Sequence, residues 1–386
     1  MAAPAQEPRA WLRRFEARSP RLLEDLEALV CHESPSSDAE RVSALAAWIV
    51  ERLRAAGVRA EAVPCPPRGD AVLAAVGDGP EGTLLLGHHD TVWPLGTLAE
   101  RPFRLDGPRA SGPGVFDMKA GIAVAVAALE ALSGEPGARA SLLLTPDEEV
   151  GTSASRELLL EVARRHARVL VLEPSLDGAA KVARKGTGSF EARLTGVPAH
   201  AGLEPEKGAS ALVEMARLAL FAGTLADPAR GTSVTATLAR AGTAANVVPD
   251  AAWLAIDARV WSVEEARRVE RGLREYRVAD PRVALALSGS FDRPPLEETE
   301  ASRALYARAR AAARELGFEL GAARVGGASD GNLTAAAGVT TLDGLGPRGD
   351  GAHARHEHVL VDDLAPRAAL VAWLAAGGAE GGGAGP

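Results

Sequence analysis

Three short apolar runs in this chain end abruptly in acids or histidine. GTLLLGHHD delivers His88, His89 and Asp90, SLLLTPDEE delivers Asp147, Glu148 and Glu149, and RVLVLEPS delivers Glu173. GPGVFDMKAG adds Asp117 in a Gly/Pro turn just before a helix, and GAHARHEHV adds His353, His356 and His358 near the C-terminus. Carboxylates gathered at one place repel one another unless a cation or a proton neutralises them. Histidine with Asp and Glu is a donor set suited to zinc, with cobalt or manganese as substitutes. A two-metal centre needs roughly five ligands, one of them bridging, around ions about 3.5–4 Å apart. His88, Asp117, Glu149, Glu173 and His353 fill that number.

Asp90 follows His88 by two residues, so in extended chain both side chains share a face. Asp90 can then accept the ring N–H that His88 does not offer to a metal. Glu148 and Glu149 are adjacent, and neighbours in extended chain point opposite ways. One can bind metal while the other faces the attacking water as general base, and the spacing leaves the order open.

The elements that must position these groups alternate along the chain. Compact apolar runs read as buried strands, and 20–31, 38–57, 119–132 and 152–166 carry apolar residues at helical steps. Strands alternating with helices predict an α/β domain with a mainly parallel sheet, whose ligands gather outside the carboxyl ends of the strands. From about residue 185 the apolar period becomes two in GSFEARLTG, TSVTATLARAG and AAWLAIDARVW, with helices between, which predicts a smaller α+β domain. The helix–strand rhythm resumes near 296. The expected organisation is a catalytic domain over 1–184 and 296–376, an inserted domain over 185–295 and a flexible Gly-rich tail over 377–386. Residues 1–8 read as a loose end.

The chain has 386 residues, enough for two domains. Its 43 Lys+Arg against 51 Asp+Glu leave a net charge of −8, which disfavours nucleic acid as a partner. No apolar run approaches the ~18 residues of a membrane span. Cys31 and Cys65 are too few for a disulfide framework. With no apolar signal core near the N-terminus, a cytoplasmic location is expected.

The blocks GHHDTVWPLGTL, RPFRLDGPRASGPGVFDMKAG, TPDEEVGTSASR, LEPS, GVPAHAGLEPEKGASAL, ANVVPDAAWLAIDAR, GGASDGN and GAHARHEHV occur in this order. Together they resemble the M20 family of di-zinc peptidases and deacylases, most closely its glutamate carboxypeptidase branch. The resemblance implies a phosphorylase/hydrolase-like zinc catalytic domain with an inserted lid and dimerisation domain. It implies that Asp117 bridges two Zn2+ ions, that His88 and Glu173 complete one and that Glu149 and His353 complete the other. Glu148 would be the general base, and Asp90 the acid that supports His88. A cis peptide is implied at Asp117–Met118. His200 corresponds to a histidine that reaches a partner subunit's active site and steadies the oxyanion. Asn246, Arg259, Arg324 and Lys181 correspond to substrate contacts, the last two with a free carboxylate.

The implied activity is hydrolysis of an amide bond, releasing a C-terminal amino acid, glutamate first among the candidates, from a small peptide or an N-acyl amino acid. The implied assembly is a homodimer formed through the lid domain. The alternatives are an N-acyl-amino-acid deacylase or dipeptidase of the same family, a single-zinc deacylase, or a metal- or peptide-binding protein without catalysis. The intact Glu148 beside five candidate ligands argues against the last.

Overall fold

The computed structural model describes residues 7–77 and 82–377. The expected tail beyond 377 and most of the expected loose N-terminal end lie outside the described residues. The chain forms two compact units. The first comprises residues up to Val182, Glu298–Arg324 and the chain from Ser329 onward, and the second comprises Ala183–Glu297 with Val325–Ala328.

The first unit is built on a six-stranded sheet in the order Arg59–Pro64, Asp70–Val76, Ala140–Thr145, Thr83–His88, Arg168–Val171, Thr340–Leu342. The four strands from Ala140–Thr145 to Thr340–Leu342 run parallel, and the first two attach antiparallel at one edge. Thr83–His88 is central and buried at every position, which explains why its sequence is a continuous apolar run rather than an alternating one. Its register pairs His88 with Thr145 and Leu86 with Val171, so the three strands end side by side. His88–Asp90, Asp147–Glu149 and Glu173 therefore leave the sheet at the same edge.

Helix Ala120–Ser133 is apolar nearly all round and lies buried in the main core with helix Leu364–Ala375. Gly121 permits its close approach to the sheet, because a Cβ there would stand 2.1 Å from the carbonyl oxygen of Leu172. Helix Ala39–Ala55 starts at Asp38, whose side chain accepts from Arg41 N–H, as the acid at the end of PSSD suggests. Helix Pro8–Glu16, which the sequence reading did not anticipate, buries Trp11 and Phe15. A small antiparallel sheet of Arg104–Asp106, Arg109–Ser111, His358–Leu360 and Gly349–Asp350 carries the C-terminal histidine loop.

The second unit is a four-stranded antiparallel sheet in the order Ser233–Ala241, Ala251–Val260, Gly186–Thr195, Ala284–Arg293. Burial alternates along Gly186–Thr195 and Ala251–Val260, as the period of two requires. Helices Ala211–Thr224 and Val263–Glu275 cover the buried face, packing Leu218, Val269 and Leu273 against Phe190, Leu194 and Ile256. Glu265 is buried in this unit and accepts from Arg230, Arg268 and Thr232, each at 2.8 Å. The hydrogen bond from Arg268 is the chief cause that holds its carboxyl at about 2.

An unfolded Glu titrates near 4.3. The lower folded value means that Glu265 stabilises the protein above that pH, and that the contribution fades as pH falls from there toward 2. Glu265→Gln should therefore lower the melting temperature by about 3–10 °C at pH 6. In melts taken from pH 6 to pH 2.5, the gap to wild type should close steadily below pH 4.

Candidate metal centre

The cluster at the sheet edge is built around Asp117. Its Oδ1 lies 3.3 Å from His88 Nε2, and its Oδ2 lies 3.4 Å from His353 Nε2. Each imidazole has a second carboxylate of its own: His88 Nε2 is 3.6 Å from Glu173 Oε1, and His353 Nε2 is 3.1 Å from Glu149 Oε2. Two half-sites thus share the two oxygens of one aspartate. His88, Asp117 and Glu149 bring ligand atoms within 4.8 Å of one another, and so do His88, Glu148 and Glu173. Ligand atoms held about 2.0–2.2 Å from a tetrahedral zinc lie roughly 3.3 Å apart. The donor types and their spacing fit a pair of such ions. His356 and His358 face other partners, Asp350 at 3.8 Å and the His356 carbonyl at 3.0 Å respectively.

The electrostatics express the same crowding. Burial opposes charge on His88, yet hydrogen bonds to Asp117 and Asp90 carry its ring well above the ordinary imidazole value. Hydrogen bonds to Asp117 and Glu149 raise His353 to about 10. Burial opposes the charge on Asp117 too, but His353 and His88 hold its carboxyl far below the usual carboxylate range. The acids demand positive charge, and protons on the two imidazoles or cations between them can supply it.

Local contacts fix several of these side chains in place. His88 Nδ1 lies 3.0 Å from the Asp90 carbonyl and 3.3 Å from Asp90 Oδ1, which leaves Nε2 facing Asp117. Asp90, fully buried, also accepts from Glu148 N–H at 3.1 Å, Glu149 N–H at 3.3 Å and Ser36 Oγ at 2.6 Å. It therefore serves the histidine and the turn Glu148–Val150 at once. The preceding Asp147 closes that turn from the other side by accepting from Ala154 N–H and Ser155 Oγ. Asp330 accepts from the hydroxyls of Thr145 and Thr152, which bracket the turn. Leu172 N–H donates to Leu86 O and Gly346 N–H to Glu173 O, which sets the exit of the third strand. The Asp117–Met118 peptide is cis, and His353 has φ 60°.

The remaining sequence candidates lie on other elements. Lys181 and Arg324 sit on the paired strands Ala180–Arg184 and Ala322–Val325. In the second unit His200 and Asn246 are neighbours, because Ala201 N–H donates to Asn246 O at 2.8 Å and His200 bridges to Val247. His200 Nδ1 accepts from Gly202 and Leu203 N–H, so the ring proton belongs on Nε2. Arg259 is engaged by Asp257 and by Thr187 Oγ1 at 2.8 Å. The sequence reading gave no role to Ser36 or Asp330, and noted Glu357 only as the acid four residues after His353. The carboxylates among them act on hydroxyls or backbone N–H groups far away in the chain, and no local spacing marks such partners.

The sequence model of peptidase family M20/M25/M40 matches residues 84–376. Carboxypeptidase G2 of Pseudomonas sp. (strain RS-16) is 32% identical over 368 residues, covering 92% of this chain and 88% of that protein. A succinyl-diaminopimelate desuccinylase of Methylococcus capsulatus is 30% identical over 315 residues, covering 74% of this chain and 81% of that protein. Among solved structures, aminopeptidase PepT from Bacillus cereus is similar at a TM-score of 0.77 and 20% identity, over 93% of this chain and 98% of that one. The M20 family metallo-carboxypeptidase Sso-CP2 from Sulfolobus solfataricus is similar at 0.69 and 14% identity, over 92% and 98%. At those identities the two structures speak for the fold.

Asp90→Asn places an amide N–H₂ against one of the two backbone donors that the carboxylate now accepts from. The amides of Glu148 and Glu149 should then exchange with solvent at least about tenfold faster, the equivalent of ~1.4 kcal/mol of lost protection. Residue-resolved hydrogen exchange should find the strand Thr83–His88 unaffected.

Proposed function

This chain belongs to peptidase family M20/M25/M40, and from that membership we propose that it is a two-zinc hydrolase releasing the C-terminal amino acid of small peptides or N-acyl amino acids. The sharing of Asp117 between two histidine–glutamate pairs carries this reading. His88, Asp117 and Glu173 would hold one ion, and Asp117, Glu149 and His353 the other. When bound, such ions lower the pKa of water and polarise the scissile carbonyl.

The chain's own residues do the rest. Glu148 stands beside Glu149 on a turn fixed by Asp90, with a carboxylate oxygen in the His88–Glu173 group. It takes the proton of the attacking water and delivers it to the leaving amine nitrogen. His200, with its proton on Nε2, donates to the oxyanion of the tetrahedral adduct. Arg324 and Lys181 hold a free carboxylate, with Asn246 and Arg259 completing the substrate contacts. A cationic clamp of this kind favours an amino acid with an unblocked C-terminus, and glutamate is the first choice for its second carboxylate. The desuccinylase relative supports N-acyl amino acids as the second substrate class.

We place the second unit as a lid that also forms a homodimer, so that His200 acts across subunits. Helix Ala211–Thr224 exposes Leu212, Val213 and Leu220, the last at 77%, and the edge strand Ser233–Ala241 exposes Leu238 at 62%. Apolar groups so placed support burial by a second copy. Among the described residues no helix is long and apolar enough to cross a membrane. The exposed free thiol of Cys31 favours a reducing compartment, the cytoplasm.

The zinc-loaded protein should release amine from N-acyl-glutamate or a peptide ending in glutamate. Glu148→Ala should lose about 10²–10⁴ in turnover while keeping two ions per chain. Release from neutral amino acids alone would overturn the glutamate assignment, and one ion at saturation would overturn the two-zinc centre. By sedimentation, Leu220→Glu should turn a dimer into monomers and remove most activity; an active wild-type monomer would refute the trans role of His200.

A further inference from the structure

Glu357 follows His353 by four residues on the same compact turn, closed by Ala354 N–H to Gly351 O at 2.8 Å and Glu357 N–H to Ala354 O at 3.0 Å. Its side chain is 1% exposed, too deep for a solvated surface acid. A carboxylate offers about four lone-pair positions, and a buried one is costly unless they are filled. Here all four are filled. Oε1 accepts from Phe116 and Asp117 N–H at 3.0 Å each, and Oε2 from Gly114 N–H at 2.9 Å and Trp93 Nε1 at 2.8 Å. Three of the donors are backbone amides of the segment that ends in the shared aspartate. The Arg101 guanidinium stacks 4.2 Å from the centroid of the Trp93 ring.

We propose that Glu357 is a positioning residue that locks the Gly114–Asp117 segment to the turn carrying His353, and so fixes one half of the metal centre. The inference rests on the two-zinc reading above. The lock is specific to a carboxylate in this place. An amide could accept on its oxygen, but its N–H₂ would face two of the four donors. Asp117 would then lose the backbone support that aims Oδ2 at His353, although neither ligand is itself altered. Trp93→Phe removes one donor and leaves the three backbone bonds intact, so it is the milder form of the same change.

The test is titration of the metal-free protein with Zn2+ and Co2+, for wild type, Glu357→Gln and Trp93→Phe, beside melting curves of the metal-free forms. Glu357→Gln should weaken at least one of the two ions by about 10–100-fold. Trp93→Phe should weaken the same ion by a smaller factor, up to about tenfold. In the loaded variants kcat should fall with KM nearly unchanged. Wild-type metal affinity in both variants, with only lower melting temperatures, would show a purely structural role and overturn the proposal. If Glu357→Gln does not fold, unchanged affinity in Trp93→Phe overturns it alone. Wild-type protein that binds neither ion would instead overturn the two-zinc reading, which separates the two failures.

Discussion

Carboxylates that converge on one point repel each other, and the first unit is arranged to hold them there. Asp117, Glu148, Glu149 and Glu173 meet where three parallel strands end, and among the described residues the imidazoles of His88 and His353 stand between them. Such an arrangement is unfavourable for a surface and useful for a centre that takes up cations. Its persistence requires that each acid be tethered by something other than its own preference. The tethers are Asp90 and Asp147 for the glutamate turn, Gly346 for Glu173 and Glu357 for Asp117. Buried carboxylates thus hold the half-buried acids of the cluster in place through backbone N–H groups, donors that every residue but proline carries.

Much of this was legible in the sequence because it is local. The continuous apolar runs before His88, Asp147 and Glu173 marked buried parallel strands, and the abrupt polar ends marked where ligands collect. The two-residue step from His88 to Asp90 foretold their contact, since extended chain brings i and i+2 to one face. What escaped was the support that depends on distant chain. Glu357 lies 240 residues from Asp117 along the sequence, and its partners are amides that every residue but proline carries. Helix Pro8–Glu16 escaped for a related reason: its arginine-rich face hid the Trp11 and Phe15 pair that buries it.

The second unit shows the opposite economy. Its two central strands alternate cleanly because one face of the sheet is covered by two helices, so their place in the sheet follows from the period. Its chemistry does not. His200 is oriented by two backbone donors within its own turn, and Arg259 is occupied by Asp257, so the contacts in hand describe how these residues are held. The apolar exposure of helix Ala211–Thr224 contrasts with helices Ala120–Ser133 and Leu364–Ala375 of the first unit, which are buried on nearly every side.

The order in which the chain supplies the two half-sites bears on how the protein is made. His88, Asp117, Glu149 and Glu173 leave the ribosome early, but His353 and Glu357 arrive only after the whole of the second unit has been synthesised. Until then the shared aspartate lacks both its second histidine and the carboxylate that braces it. A nascent or truncated chain would lack these partners, and the segment they hold can settle into place only in the finished polypeptide.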